Sequence, residues 1–154
     1  MPIPRGLFGI IKEVARHLIR RPVVGIGALA QTRDGRWLLV RRTDTGEWAL
    51  PGGTLEWGET LKTALCREVL EEGGADVIEL GELVGVYSDP DRDARFHAVT
   101  IVVRAIVGEP HSAPQNPLEI AEARLFSEQE LPGVLAFGMS DMLENARQRR
   151  LYWE

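Results

Sequence analysis

Three glutamates near the end of one predicted helix constrain this chain more than any other feature. Glu68, Glu71 and Glu72 occupy positions i, i+3 and i+4, so a helix projects all three carboxylates from one side of its last turns. Gly73-Gly74 end that helix directly behind them, where the helix dipole disfavours negative charge. Adjacent glutamates most often form a solvated surface. This unfavourable placement instead indicates a divalent-cation site, because carboxylate oxygens suit Mg²⁺ and Mn²⁺.

The segment around these glutamates resembles the signature of the Nudix hydrolases, G-x5-E-x7-R-E-U-x-E-E-x-G-U, in which U is a bulky apolar residue. The fixed positions, with Val69 at the first U, are Gly53, Glu59, Arg67, Glu68, Glu71, Glu72 and Gly74. Ala75 is smaller than the aliphatic residue usual at the last U, a difference that affects packing beneath the loop and not the chemistry. So many fixed positions at fixed spacing make the match specific, and the flanking strands agree more loosely over residues 23 to about 135.

Length and composition are those of one globular domain. A chain of 154 residues is long enough to bury its own core. The net charge of -5 argues against general nucleic-acid binding through a basic surface. A single cysteine, Cys66, excludes an intrachain disulfide and favours a reducing compartment, so we expect a cytoplasmic protein. The apolar positions are too interrupted by charge for a membrane span.

Residues 1–22 predict a basic amphipathic helix that ends at Pro22, ahead of a Nudix domain over residues 23–154. Apolar residues recur there at helical spacing, at Leu7, Ile11, Val14, Ala15 and Leu18. The helix is expected to dock on the domain or on a second subunit, with association to a membrane surface as the alternative. The apolar tail Leu151-Tyr152-Trp153 is a second candidate for packing on a partner.

Runs of strand-forming residues are set apart from helical segments in the rest of the chain. Strands are predicted at residues 23–32, 37–42, 77–86, 97–107 and 122–126, the first two forming a hairpin. A last helix is predicted over residues 139–150, with Ser140 as its N-cap. This order predicts an α+β fold. The resemblance implies an α/β/α sandwich with a mixed β-sheet between helices.

The resemblance also implies the metal ligands. In this sequence they are the carboxylates of Glu68, Glu71 and Glu72 and the backbone carbonyl of Gly52, holding Mg²⁺ with Mn²⁺ as a substitute. Glycine at position 52 lets the loop approach the ion without a Cβ in the way.

Arg67 is predicted to organise the catalytic residues. Its guanidinium stays protonated and so cannot act as a base. We expect Arg67 to pair with an acid such as Glu59, in the first helical turn, and to hold Glu68 in position. The general base is left open among Glu68 and two acids outside the signature, Glu119 and Glu122.

Residues 88–97 form a polar loop that is similar to the DP-x-RDPR-x-H stretch of ADP-ribose pyrophosphatases in this family. Pro90 lies at the characteristic distance after the signature, while Ala94 stands where the family often has proline. Arg92 and Arg95 are candidates to bind a terminal phosphate or to pair with neighbouring aspartates. A plain connection rich in turn-forming residues is the alternative.

The sequence therefore predicts a Mg²⁺-dependent pyrophosphohydrolase for a nucleoside diphosphate linked to another group. ADP-ribose, cleaved to AMP and ribose 5-phosphate, is the first expectation. A house-cleaning nucleoside triphosphate pyrophosphohydrolase of the MutT type is the second. The alternative of another class is a Nudix module that binds a nucleotide without cleaving it, although such modules typically lose signature carboxylates. Many ADP-ribose-cleaving relatives are dimers, so the resemblance favours a homodimer.

Overall fold

The computed structural model of this protein describes residues 20–154 and five positions before them, at 10, 11, 14, 15 and 18. Those five positions are helical, and their side chains are exposed except that of Ala15, which is half-buried. Most of the helix predicted over residues 1–22 lies outside the described residues. Within the described part of the chain, no helix is long and apolar enough to cross a bilayer.

From residue 20 onwards, the described elements are eight strands, two helices and two short 3₁₀ turns. The strands are β1 Val23–Gln31, β2 Trp37–Arg42, β3 Trp48–Ala49, β4 Gly52–Thr54, β5 Val77–Tyr87, β6 Ala98–Val107, β7 Ile120–Phe126 and β8 Tyr152–Trp153. The helices are α1 Leu61–Gly73 and α2 Met139–Arg147, and short 3₁₀ turns lie at Glu128–Glu130 and Ala136–Gly138.

All of these strands belong to one mixed sheet in the order β3-β2-β1-β6-β5-β8, with β4 paired to β1 and β7 paired to β2. Strands β1 and β6 run parallel from the pair Val23↔Ala98 to the pair Gln31↔Ile106. The predicted hairpin of β1 and β2 is wrong in extent, because the two strands pair only at Gln31↔Trp37. Strand β2 instead pairs along its length with β7, which lies about 80 residues later in the sequence.

Each face of the sheet is covered by one helix. On one face, Ala64, Leu65 and Val69 of α1 pack with alternate residues of β1 in a buried cluster. On the other, Met142 and Leu143 of α2 belong to a second buried cluster. Burying each of these leucines contributes roughly 1.5–3 kcal/mol. The α/β/α sandwich with a mixed sheet is therefore confirmed.

The observed end of α1 agrees with the sequence prediction, whereas the observed N-cap of α2 does not. Helix α1 begins after Thr60, whose Oγ1 accepts a hydrogen bond from Thr63 N at 3.2 Å, and it is followed by the C-cap Gly74 with φ of 65°. Helix α2 begins at Met139 and ends at Arg147, so Ser140 as N-cap is wrong. The Ser140 Oγ instead accepts from Leu135 N at 2.8 Å, which ties the preceding loop to the helix.

The tail adds a short strand to the sheet of its own chain, while the side chains of Leu151 and Trp153 remain exposed. Tyr152 and Trp153 form β8, which runs parallel to the end of β5 through the pairs Gly85↔Tyr152 and Val86↔Trp153. The Tyr152 ring stacks on that of Tyr87 with centroids 5.2 Å apart. The tail therefore completes the sheet, which the sequence analysis did not predict.

Candidate active site

Gly52 and Gly53 bring strand β4 against both β1 and helix α1. A Cβ on Gly52 would overlap the carbonyl oxygen of Ile26 on β1, and a Cβ on Gly53 would overlap the Glu68 carboxylate. Only glycine permits both approaches without displacing the neighbour. The glycine-rich lead-in therefore sets the distance between the strand and the carboxylates of α1.

Gly52→Ala is expected to destabilise the fold by roughly 1–3 kcal/mol, because its methyl group collides with backbone of the neighbouring strand. Gly133→Ala is the matched control, since a Cβ there meets nothing within 4 Å. Its effect should stay within about 0.5 kcal/mol. Urea unfolding of the two variants measures both values, and equal midpoints would contradict the close approach.

Two carboxylates of α1 are buried beside this lead-in. Glu72 is 8% exposed, and its Oε2 accepts a hydrogen bond from Gly52 N at 2.9 Å. Burial, with the nearby charges of Glu68 and Glu119, raises the pKa of Glu72 to about 8, although the Gly52 hydrogen bond opposes the shift. Burial also raises the pKa of Glu68, against the opposing effect of Arg67. The two acids share a region that favours bound positive charge.

Arg67 joins the acids of this segment into one network. Its Nε and Nη2 donate to the two oxygens of Glu59 at 2.7 and 2.9 Å, and its Nη1 donates to Glu68 at 2.8 Å. The predicted pairing of Arg67 with Glu59 is thus present in the structure. Glu59 lies before the N-cap Thr60, so its placement in the first helical turn is wrong. The two-pronged contact with Arg67 lowers the pKa of Glu59 to about 2.

Glu71 differs from its neighbours Glu68 and Glu72. Its Oε2 accepts from Arg67 Nη1 at 3.3 Å, and its side chain is 41% exposed and lies outside the cavity that the other two line. In the described ranges, no three acidic, histidine or cysteine side chains form a group able to hold an ion. The helix therefore presents two carboxylates together and a third to one side.

The donor set of this region nevertheless fits Mg²⁺. Magnesium keeps several waters and is usually bound through one or two carboxylates together with substrate phosphates. The carboxylates of Glu68 and Glu72 are hard oxygen donors, and their raised pKa values show that a cation nearby would relieve an electrostatic cost. An open site with two carboxylates has the chemistry that the ion requires.

A cavity of about 330 Å³ opens over these carboxylates. Glu68, Glu72 and Gly52 line it together with Glu119, which lies in the turn before β7. Glu122 lies outside this lining and pairs with Arg41 at 3.0 Å on the paired strands β2 and β7. Of the two acids outside the signature, the fold brings only Glu119 to the carboxylates of α1.

The loop of residues 88–97 supplies another wall of the cavity through Arg92 and Arg95. Arg95 donates to both oxygens of Asp93 at 2.9 and 2.7 Å, while Arg92 donates to Glu154 rather than to a neighbouring aspartate. Pro90 is exposed and does not line the cavity. The loop thus brings two arginines to the wall and leaves the proline outside it.

Arg42 and Phe137 also line the cavity, and neither was predicted from the sequence. Arg42, at the end of β2, is 8% exposed, donates to both oxygens of Asp44 at 2.9 and 3.0 Å and approaches Glu119 at 3.6 Å. The guanidinium carbons of Arg42 and Arg95 lie 5.1 and 4.4 Å from the centre of the Phe137 ring. An arginine at the end of an apolar strand was the available sequence signal for Arg42, whereas nothing in the sequence marks Phe137.

The two tryptophans near the signature have different surroundings. Trp48 packs edge-on against Phe126, with centroids 4.7 Å apart, as expected for a residue that fills core. Trp57 is fully exposed in the loop before α1.

The chain is similar to known proteins over most of its length. The NUDIX domain family model matches residues 21–146. An ADP-ribose pyrophosphatase from Methanocaldococcus jannaschii is 35% identical over 133 residues, which are 84% of this chain and 75% of that protein.

Two solved structures share the fold. A MutT NUDIX hydrolase from Burkholderia pseudomallei is 34% identical with a TM-score of 0.68, over 82% of this chain and 98% of that one. A NUDIX hydrolase from Nitrosomonas europaea is 32% identical with a TM-score of 0.72, over 88% of this chain and 80% of that one. The chain belongs to the Nudix hydrolase family, and it is a pyrophosphatase that hydrolyses phosphoric anhydride bonds.

Proposed function

We propose that this enzyme cleaves ADP-ribose to AMP and ribose 5-phosphate. The observation that carries the proposal is the composition of the cavity, in which buried carboxylates and three arginines line one space of about 330 Å³. A diphosphate is repelled by carboxylates alone, so the guanidinium groups of Arg42, Arg92 and Arg95 supply the attraction that brings it in. The Methanocaldococcus jannaschii relative is named for the same substrate.

The residues of α1 and β4 hold the metal in this proposal. Glu68 and Glu72 would bind Mg²⁺ or Mn²⁺ directly, and Glu71 and the Gly52 carbonyl are the further ligands expected from the family signature. When bound, the ion lowers the pKa of a coordinated water and offsets the charge of the phosphate oxygens. Glu59 and Arg67 act on this set by fixing the orientation of the Glu68 carboxylate.

Glu68 and Glu119 are the two groups that we propose as proton acceptors. Glu68 reaches the cavity from α1 but shares its carboxylate with Arg67. Glu119 reaches it from the turn before β7 and is half-exposed, so its carboxylate can accept a proton from water inside the cavity. Glu122 lies outside this wall, and we therefore assign it no proton transfer.

Turnover of a nucleotide panel tests the proposal. With Mg²⁺, ADP-ribose should be the best substrate, and AMP and ribose 5-phosphate should appear in equal amounts. In ¹⁸O-labelled water the label should enter only one of the two products, since water attacks one phosphorus. Rapid dGTP turnover to dGMP and pyrophosphate, beside a flat response to ADP-ribose, would favour the triphosphatase alternative. Tight binding without turnover of any nucleotide would favour a binding module.

We further propose a homodimer in a reducing compartment such as the cytoplasm. Apolar side chains of the sheet that remain exposed in one chain, including Val24 and Leu83, are available to an interface. Cys66 is a free thiol, as reducing conditions favour. Light scattering of the purified protein would measure the mass of the particle directly.

A further inference from the structure

The side chain of Glu154 is held by the start of the cavity loop. Its Oε2 accepts hydrogen bonds from the backbone N–H groups of Ser88 and Asp89 at 2.8 and 2.7 Å. Its Oε1 accepts from Arg92 Nε at 2.9 Å and also contacts Arg92 Nη2. One carboxylate thus satisfies two backbone donors and one guanidinium, an arrangement much stronger than an ordinary exposed ion pair.

Strand β8 places this carboxylate beside the loop. The pairing of β8 with β5 brings residue 154 beside the end of β5, where the loop begins, and Glu154 N donates to Val86 O at 3.1 Å. The stacked side chains of Tyr152 and Tyr87 add a second contact between β8 and the end of β5. The position of Glu154 is therefore set by the sheet and not by the loop that it holds.

Arg92 carries the contact from Glu154 to the cavity wall. Its Nη1 donates to Gly138 O at 3.1 Å and lies 3.5 Å from Asp141, and its guanidinium lies 5.0 Å from the centre of the Tyr87 ring. Gly138 has φ of 65°, and a Cβ there would come within 2.7 Å of Arg92 Nη1. Arg92 and Glu154 each have side chains only 17% exposed, so water screens their attraction weakly.

We propose that Glu154 is a positioning residue that acts through Arg92 and the loop of residues 88–97 to set substrate affinity. Glu154 does not line the cavity, whereas Asp89, Arg92 and Arg95 do. The carboxylates of α1 have their own supports in Arg67 and Gly52. Loss of Glu154 should therefore weaken binding of the phosphate-bearing substrate and leave the bond-breaking step nearly unchanged. This inference rests on the function proposed above.

Glu154→Gln tests the inference because it keeps the length of the side chain and removes its charge. We expect KM for ADP-ribose to rise about tenfold, the scale of one lost charge-assisted hydrogen bond, with kcat within about threefold. Amide hydrogen exchange over residues 88–97 should accelerate in the same variant. Glu154→Asp keeps the charge but shortens the reach, and should give an intermediate KM.

Two controls separate positioning from a general loss of structure. Glu82→Gln removes the pair of Glu82 with Arg104 at 2.8 Å, which lies outside the cavity lining, and should leave KM and loop exchange unchanged. In the double variant with Arg92→Met, the KM effects should be far from additive, because Glu154 acts through Arg92. Additive effects would overturn the proposed route.

A positioning role for Glu154 predicts both a higher KM and faster exchange in the loop of the Glu154→Gln variant. Faster exchange at unchanged KM would reduce Glu154 to a structural residue, and a fall in kcat at unchanged KM would place it elsewhere in the reaction. If the unmodified enzyme turns over dGTP instead of ADP-ribose, the proposed substrate is wrong. The same KM ratio is then measured with dGTP, so the two failures are distinguishable.

Discussion

Replacing Glu72 by Gln is expected to lower kcat by roughly two orders of magnitude or more while the melting temperature stays level or rises. The amide keeps the shape of the side chain and can still accept the hydrogen bond from Gly52 N. It cannot ionise, so it removes the cost of a buried charge beside Glu68 and Glu119 at those pH values where Glu72 is deprotonated. Catalysis loses a ligand charge, whereas the fold loses a repulsion.

The stability of the metal-free protein should depend on pH through the same residue. Because the pKa of Glu72 is raised to about 8 from 4.5, the folded form holds a proton that the unfolded form releases between those pH values. Glu72 therefore stabilises the folded form fully below about pH 4.5, and this stabilisation is lost as pH rises towards 8. At pH 8.5 the Gln variant should be the more stable protein by a few kcal/mol in chelator.

Melting curves in chelator at pH 5 and pH 8.5, with kcat in Mg²⁺, measure both effects. Glu79→Gln, on an exposed position of β5, is the control for removing one negative charge. Added Mg²⁺ at pH 8.5 should raise the melting temperature of the unmodified protein more than that of the Gln variant. Undiminished kcat in the variant would remove Glu72 from the metal site.

Local patterns predicted most elements of the fold correctly. Helix α1 and strand β6 are long, and turn-forming residues mark their ends. Local sequence was therefore enough to predict them without knowledge of tertiary contacts. Pairing between strands was harder. Strand β4 pairs with β1, and β2 pairs along its length with β7, an arrangement that depends on contacts across the whole sheet and not on local sequence. Strand β8 has two residues, too few for any periodic signal.

In the site too, local features were predictable from the sequence and long-range contacts were not. Spacing along one helix sufficed to bring out Glu68 and Glu72, because residues four apart share a helix face. Contacts between segments that are far apart in the sequence leave no comparable spacing pattern. Glu154 contacts Arg92, which lies 62 positions earlier in the chain. Phe137, which contacts Arg42 and Arg95, has a positive φ of 56° that the sequence does not predict. Spacing likewise does not predict that Glu71 is more exposed than Glu68 and Glu72, although Arg67 Nη1 contacts both Glu68 and Glu71.

Arg67→Lys is expected to lower kcat about 10–100-fold and the melting temperature by about 5 °C, although the charge is kept. The guanidinium spans Glu59 with two parallel hydrogen bonds and still reaches Glu68 and the carbonyl oxygen of Thr54 at 2.8 and 3.3 Å. An ammonium group is a single point and cannot make both contacts. Glu68 then loses the support that fixes its carboxylate in the cavity.

The stability loss in Arg67→Lys should shrink in acid. The contact with Arg67 lowers the pKa of Glu59 to about 2, so its stabilisation is present above about pH 4.5 and disappears as pH falls towards 2. Urea midpoints of the variant and the unmodified protein should therefore differ more at pH 7 than at pH 3. Arg36→Lys is the matched control, because Arg36 also bridges two acids, Asp34 and Glu109, but at an exposed site away from the cavity. An equal loss of kcat in both variants would show that arginine geometry at position 67 has no special part in catalysis.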